Sequence, residues 1–132
     1  MKNKILIVIS NYYENIGNNL LKGCVNELEL NKIDYDIVYA PGCFEIPFLI
    51  SINIKKYKGF IALGCVIRGE TYHFDLIANE CARKIMEISN HSLKPIGFGI
   101  LTCENIKQAL IRSDIRKKNK GKEAASACIK LL

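Results

Sequence analysis

Residues 68–73 place an arginine, a carboxylate, a hydroxyl and an imidazole within six positions: Arg68, Glu70, Thr71 and His73. Such a set suits anion binding and proton transfer. If a helix begins here, the backbone N–H groups of Gly69, Glu70 and Thr71 can cradle a single phosphate. The positive end of that helix disfavours an imidazolium, so His73 is expected to act as a neutral base. Two other short stretches carry complementary groups. Ser10 to Asn15 supplies Tyr12 and Tyr13, and Cys43 to Glu45 supplies Phe44 and Glu45. Aromatic rings beside carboxylates suit a flat polar ring bearing hydroxyls, held by stacking and hydrogen bonds. Gly64 to Thr71 reads G-x-x-x-x-G-E-T, one residue from a P-loop. Glu70 stands at the lysine position of that motif and would repel nucleotide phosphates. Arg112, Arg116, Lys118 and Lys120 form a second basic cluster, read either as a solvated face or as another anion site. Phe98, flanked by glycines, reads either as core or as a ligand platform; the residues alone leave both choices open.

The elements that position these groups follow from hydrophobic period. Lys4 to Ile9 is a buried strand. Ile16, Leu20, Leu21, Cys24, Val25 and Leu28 recur at helical spacing to about Leu30, with Gly23 inside as a point of close packing. Tyr35 to Ala40 is a second strand, ended by Pro41-Gly42. A helix starts near Ile46-Pro47, where proline fits the first turn, and runs to about Lys56. Phe60 to Ile67 has no polar alternation, so it reads as a strand buried on both faces. The helix from His73 ends near Ser89-Asn90. Ile96 to Leu101 is the fourth strand, and Thr102 is the expected N-cap of a short helix through Leu110. A basic turn over Ser113 to Lys122 and a last helix from Glu123 to Leu132 complete the chain. Strand–helix alternation predicts one α/β domain over residues 1–132: a three-layer, four-stranded parallel sheet with helices on both faces. The loops at 10–15, 43–45, 68–73 and 102–104 then meet at the carboxyl edge of the sheet, where ligands bind in such folds.

Composition narrows the function class. The chain has 132 residues and a formal charge of +6, much of the excess lying between Arg112 and Lys122. That local excess does not imply nucleic acid. No run resembles a signal peptide or a membrane span. The six cysteines lack C-x-x-C spacing and sit in apolar patterns, as buried free thiols of a reducing cytoplasm do. With two histidines in all, a histidine-rich metal site is not expected.

The motifs also resemble a known family. Pro41-Gly42-Cys43-Phe44-Glu45-Ile46-Pro47, Ala62-Leu63-Gly64-Cys65-Val66-Ile67-Arg68-Gly69-Glu70-Thr71 with His73-Phe74-Asp75, Phe98-Gly99-Ile100-Leu101-Thr102, Gln108-Ala109-Leu110 and Asn119-Lys120-Gly121 occur in the order found in lumazine synthases. The resemblance covers nearly the whole chain. It implies a flavodoxin-like fold and a transferase of riboflavin biosynthesis that works without a cofactor or metal. That reaction joins 5-amino-6-(D-ribitylamino)uracil to 3,4-dihydroxy-2-butanone 4-phosphate, giving 6,7-dimethyl-8-ribityllumazine, phosphate and water. It further implies a homopentamer or an assembly of pentamers, sites between subunits, and riboflavin synthase as a pathway partner. Carried over by position, Tyr12 stacks on the pyrimidine. Cys43, Phe44 and Glu45 lie along the ribityl chain. Cys65, Val66 and Ile67 meet the pyrimidine edge. Gly69, Glu70 and Thr71 adjoin the phosphate, and His73 transfers protons. Phe98, Arg112 and Lys120 come from the adjacent chain, Arg112 pairing with the phosphate.

Departures from the family pattern are specific. Asn11 replaces a common arginine, Tyr12 a common phenylalanine, and Cys43 a small alanine or serine. The turn from Ser113 to Asn119 lacks the usual glycines. The chain starts at the first core strand, without the extension that helps pair subunits in many members; this bears on large shells more than on the pentamer. Two other classes compete: a carrier of flavin or ribityl compounds that lost turnover, and a generic flavodoxin-like phosphate binder. His73, Arg112 and Lys120 argue against the first, and Glu70 against the second.

Overall fold

The computed structural model describes residues 2–132. Four strands, β1 (Lys2–Ser10), β2 (Tyr35–Ala40), β3 (Tyr57–Ile67) and β4 (Ile96–Cys103), form one parallel sheet in the order β2-β1-β3-β4. Five helices connect or follow them: α1 (Glu14–Leu30), α2 (Ile46–Ile52), α3 (His73–Ser92), α4 (Ile106–Ser113) and α5 (Lys120–Lys130). A 3-10 turn, Cys43–Glu45, precedes α2. This is the parallel sheet with helices on both faces expected from the alternation, in the three-layer flavodoxin-like form that the family resemblance implies. No helix among the described residues is long and apolar enough to cross a membrane.

The pleat sorts the core into two layers. Ile5, Ile7, Ile9, Ile61, Leu63 and Leu101 face α1, α4 and α5. Leu6, Val8, Phe60, Ala62, Val66 and Ile100 face α2 and α3. Both layers claim residues from β3, whose Phe60–Val66 segment is wholly buried; that is why its sequence shows no alternation. β4 tolerates two glycines because α5 lies directly on it. A Cβ at Gly97 would stand 2.1 Å from the Ala124 carbonyl oxygen, and one at Gly99 2.9 Å from the Ala124 Cβ. Gly23 of α1 plays the same part against the start of α5, where a Cβ would meet Asn119 Oδ1 at 2.1 Å.

Several boundaries differ from those read in the sequence; β3, for example, starts at Tyr57 instead of Phe60 and α4 runs to Ser113 instead of Leu110. β4 continues through Thr102 to Cys103, because Val66 and Ile67 of β3 still pair with those residues. The cap of α4 is therefore Asn105, whose side chain accepts the Gln108 N–H at 2.9 Å, while Gln108 Oε1 accepts the Glu104 N–H at 2.8 Å. α5 begins at Lys120, since Asn119 adopts a left-handed conformation (φ 44°) and its side chain accepts the Lys122 N–H. α2 stops at Ile52 instead of Lys56, and the Lys94 ammonium donates to the carbonyls of Ile54 and Tyr57 in the turn that follows.

Candidate active site

β1 has β2 on one side and β3 on the other, so the chain reverses direction across the sheet at β1. Crevices for ligands open at the carboxyl ends of strands beside such a reversal. A cleft of about 670 Å³ occupies this place. Ser10 at the end of β1, Cys43 in the 3-10 turn and Cys65 on β3 contribute to it. Tyr12 and Tyr13 come from the loop after β1, and Phe44 and Glu45 from the 3-10 turn. Val66 and Ile67 end β3. His73, Leu76 and Ile77 come from the first two turns of α3.

Gly64 keeps this region open. A Cβ there would lie 2.7 Å from the Cys43 sulfur and 3.5 Å from the Ser10 Cβ. Cys43 is fixed from two directions: its carbonyl accepts the Cys81 thiol at 3.3 Å, and its own thiol points to the Cys65 carbonyl at 3.9 Å. Burial pushes the Cys43 thiol up to about 11, partly offset by that carbonyl contact and by Ser10. Burial, then Cys103 and Cys43, raises Cys65 to about 12. Both are protonated thiols at neutral pH and act as packing groups, not nucleophiles. The rim is aromatic. Tyr12 is 74% exposed and Phe44 66%. Tyr13 meets Tyr12 edge-on, with ring centroids 5.0 Å apart at 85°. Burial, and then the neighbouring Cys65, Tyr12 and Cys43, raises the Tyr13 phenol above its ordinary value.

The loop before α3 adjoins the cleft without lining it. Gly69, Glu70 and Thr71 are exposed, and Thr71 Oγ1 accepts the His73 N–H at 3.4 Å. Tyr72 offers no side-chain cap and Thr71 takes only the His73 N–H, so the N–H groups that follow in the first turn keep their capacity for an anion. Arg68 has a different part from the one its type suggests. Its guanidinium reaches both Glu104 oxygens at 3.0 Å and both Asp75 oxygens at 3.2 Å, and it lies 4.4 Å from the centre of the Phe74 ring. Glu104, then Asp75, raises its pKa further. Arg68 thus ties the end of β3 to α3 and to the loop after β4, instead of waiting for an anion.

The structure therefore gathers Tyr12, Cys43, Phe44, Glu45, Cys65, Val66, Ile67 and His73 around one cleft, and leaves Phe98, Arg112 and Lys120 outside it. Phe98, on the edge strand β4, faces α3 beside Ala82, Ile85 and Met86. Arg112 donates to the Gln108 carbonyl at 3.3 Å and lowers the nearby Cys103 thiol against the rise from burial. Lys120 pairs with Glu123 at 3.1 Å. Ser10, Leu76 and Ile77 line the cleft without having been singled out in the sequence. Leu76 and Ile77 were recoverable, because they sit three and four residues after His73 on one helical face. Ser10, the last residue of a strand, carried no such signal.

Comparison with known proteins bears on this site. The family model described as 6,7-dimethyl-8-ribityllumazine synthase matches residues 2–132. Curated proteins carrying that name are similar over most of their length. The one from Bartonella tribocorum is 46% identical over 131 residues, covering 97% of this chain and 87% of that protein. Its counterpart from Zymomonas mobilis is 43% identical over 128 residues (96% and 91%), and that from Agrobacterium fabrum 41% over 138 residues (99% and 93%).

Proposed function

The chain belongs to the 6,7-dimethyl-8-ribityllumazine synthase family, and from that premise we infer both its reaction and the residues that carry it. It condenses 5-amino-6-(D-ribitylamino)uracil with 3,4-dihydroxy-2-butanone 4-phosphate to the lumazine, phosphate and water. The amine forms an imine with the ketone, the phosphate is eliminated, and ring closure completes the product. Each step moves protons between oriented groups, so positioning and acid–base transfer supply the catalysis.

The observation that carries the residue assignments is the single cleft shared by His73 and groups from three strand ends. Tyr12 stacks on the pyrimidine ring. Phe44 and Glu45 hold the ribityl chain, Glu45 through its hydroxyls, with Cys43 packed beneath. Cys65, Val66 and Ile67 meet the ring edge through backbone groups. Gly69, Glu70 and Thr71, in the loop that leads into α3, adjoin the phosphate, and His73 transfers protons. Phe98, Arg112 and Lys120 complete the site from a neighbouring subunit. Exposed large apolar side chains that a second chain could cover support such an assembly: Tyr39, Phe48 and Ile52, and Met86 beside Phe98. A head-to-tail contact between unlike faces closes into a ring, here a homopentamer or an assembly of pentamers. The reading includes one domain over residues 1–132, a cytoplasmic location in keeping with six buried free thiols, and riboflavin synthase as the enzyme that takes the product.

Turnover tests the reading. Purified protein mixed with both substrates should form lumazine, and Glu45→Ala should raise KM for the pyrimidine. Tight riboflavin binding by folded protein that forms no product would replace the synthase with a carrier.

A further inference from the structure

Ser10 is 3% exposed, and its hydroxyl is buried without a hydrogen-bond partner of normal geometry. It ends β1, opposite Ala40 of β2, and faces the cleft beside Gly64 and Cys43. The group nearest to a partner is the Cys43 thiol, which the hydroxyl lowers against the larger rise from burial. A protonated thiol is nevertheless a weak acceptor and a weak donor. Buried hydroxyls are normally paired, and an unpaired one destabilises the fold that holds it. The group is therefore poorly satisfied in the unliganded protein, on a residue that lines the cleft.

We propose that Ser10 is a further binding residue for the pyrimidine substrate, hydrogen-bonding it at the cleft floor between the groups that hold its ring and those that hold its ribityl chain. The inference rests on the reading above that this cleft takes the pyrimidine. Ser10 and Cys43 both lie beside Gly64, so the hydroxyl sits where the stretch Cys43–Glu45 meets the end of β3. A ligand polar atom there satisfies the hydroxyl, so the group strengthens binding and weakens the unliganded fold.

That opposition of signs is the test. Ser10→Ala, with Ser10→Cys as a second variant that puts a larger, weakly hydrogen-bonding thiol in place of the hydroxyl, is assayed for KM of each substrate, kcat and the Tm of unliganded protein. The expected result is a rise of about three- to tenfold in KM for the pyrimidine, within the range of one hydrogen bond. KM for the butanone phosphate and kcat stay within about twofold, and Tm is equal to or above that of the parent. The Tm gain that saturating pyrimidine gives should shrink in step. Glu45→Gln serves as the control for the cleft. If it raises the pyrimidine KM while both Ser10 variants leave it unchanged, the Ser10 proposal falls and the cleft reading stands. If none of the variants moves that KM, the cleft reading falls and takes the proposal with it. A Tm loss in both Ser10 variants would make the hydroxyl structural and overturn the proposal.

Discussion

Two variants, each disabled alone, should restore activity to one another once their subunits exchange. His73 lines the cleft, whereas Arg112 sits on α4, which packs on the opposite face of the sheet from α2 and α3, and lies outside the lining residues. On the proposed reading each site takes His73 from one chain and Arg112 from the next. His73→Ala removes a proton-transfer group, worth about 10²- to 10⁴-fold in rate. Arg112→Ala removes a charge-assisted bond to phosphate, about 1.5–3 kcal/mol, or roughly 10- to 150-fold in kcat/KM. In an equimolar, randomly exchanged mixture, half the chains keep His73 and half of their neighbours keep Arg112. About one site in four is then intact, whatever the number of subunits in a closed ring. The assay follows lumazine formation at subsaturating butanone phosphate, after exchange verified by native mass spectrometry. About a quarter of parental activity is expected, far above either variant alone. Activity no greater than the mean of the two variants, with exchange verified, would put both groups in one chain and refute the shared site.

Other outcomes follow from packing and ionisation. Gly97→Ala should cost about 2 kcal/mol or more, because its Cβ would enter the Ala124 carbonyl. Gly69→Ala, with no atom within 4 Å of the added Cβ, should leave Tm unchanged; equal Tm for the two variants would contradict the contact between α5 and β4. Asn105→Ala should cost about 1 kcal/mol by removing the α4 cap, measured by denaturant unfolding. Burial raises Cys24, Cys65 and Cys81 to about 12 and Cys43 and Cys128 to about 11, above the ordinary thiol value of 9.0. The folded state therefore holds these protons more tightly than the unfolded chain, so their contribution to stability is complete below about pH 9 and is lost as pH rises towards 11–12. A Tm that stays flat from about pH 8 to 10.5 would refute that burial effect.

Much of the fold was legible because the elements are locally consistent. β2 runs from Tyr35 to Ala40, as its β-branched and aromatic residues and the Pro41-Gly42 stop suggest. α3 begins at His73, where apolar spacing changes to helical. Errors fell where long-range pairing overrode local signals. Thr102 has the chemistry of a helix cap, but strand pairing with Val66 holds it in β4. The basic residues around Asn119 hid a helix start that a left-handed cap defines. Arg68 looked reactive because its partner Glu104 is 36 residues away. In the site, the cleft residues come from contiguous loops and could be read as groups. Phe98, Arg112 and Lys120 had roles through resemblance alone, because one chain's geometry does not bring them to the cleft.

The rim of the cleft argues for the same division of labour. Tyr12 and Phe44 are largely exposed, although the apolar faces of their rings gain nothing from contact with water. Their floor is rigid: Cys43 is held by Cys81, and Gly64 admits no side chain without meeting Cys43. The site thus pairs a fixed floor with uncovered aromatic walls, an arrangement that gains stability when a flat ligand or another chain covers the walls. On the proposed reading both do so. The pyrimidine lies against Tyr12, and the neighbouring subunit supplies Phe98 and the cations. Proton transfer at His73 then proceeds in a cavity from which water is largely displaced, where positioned hydrogen bonds count for more than they do in solution. A single chain holds the floor, the aromatic walls and the histidine; on the proposed reading, a contact between chains supplies the rest.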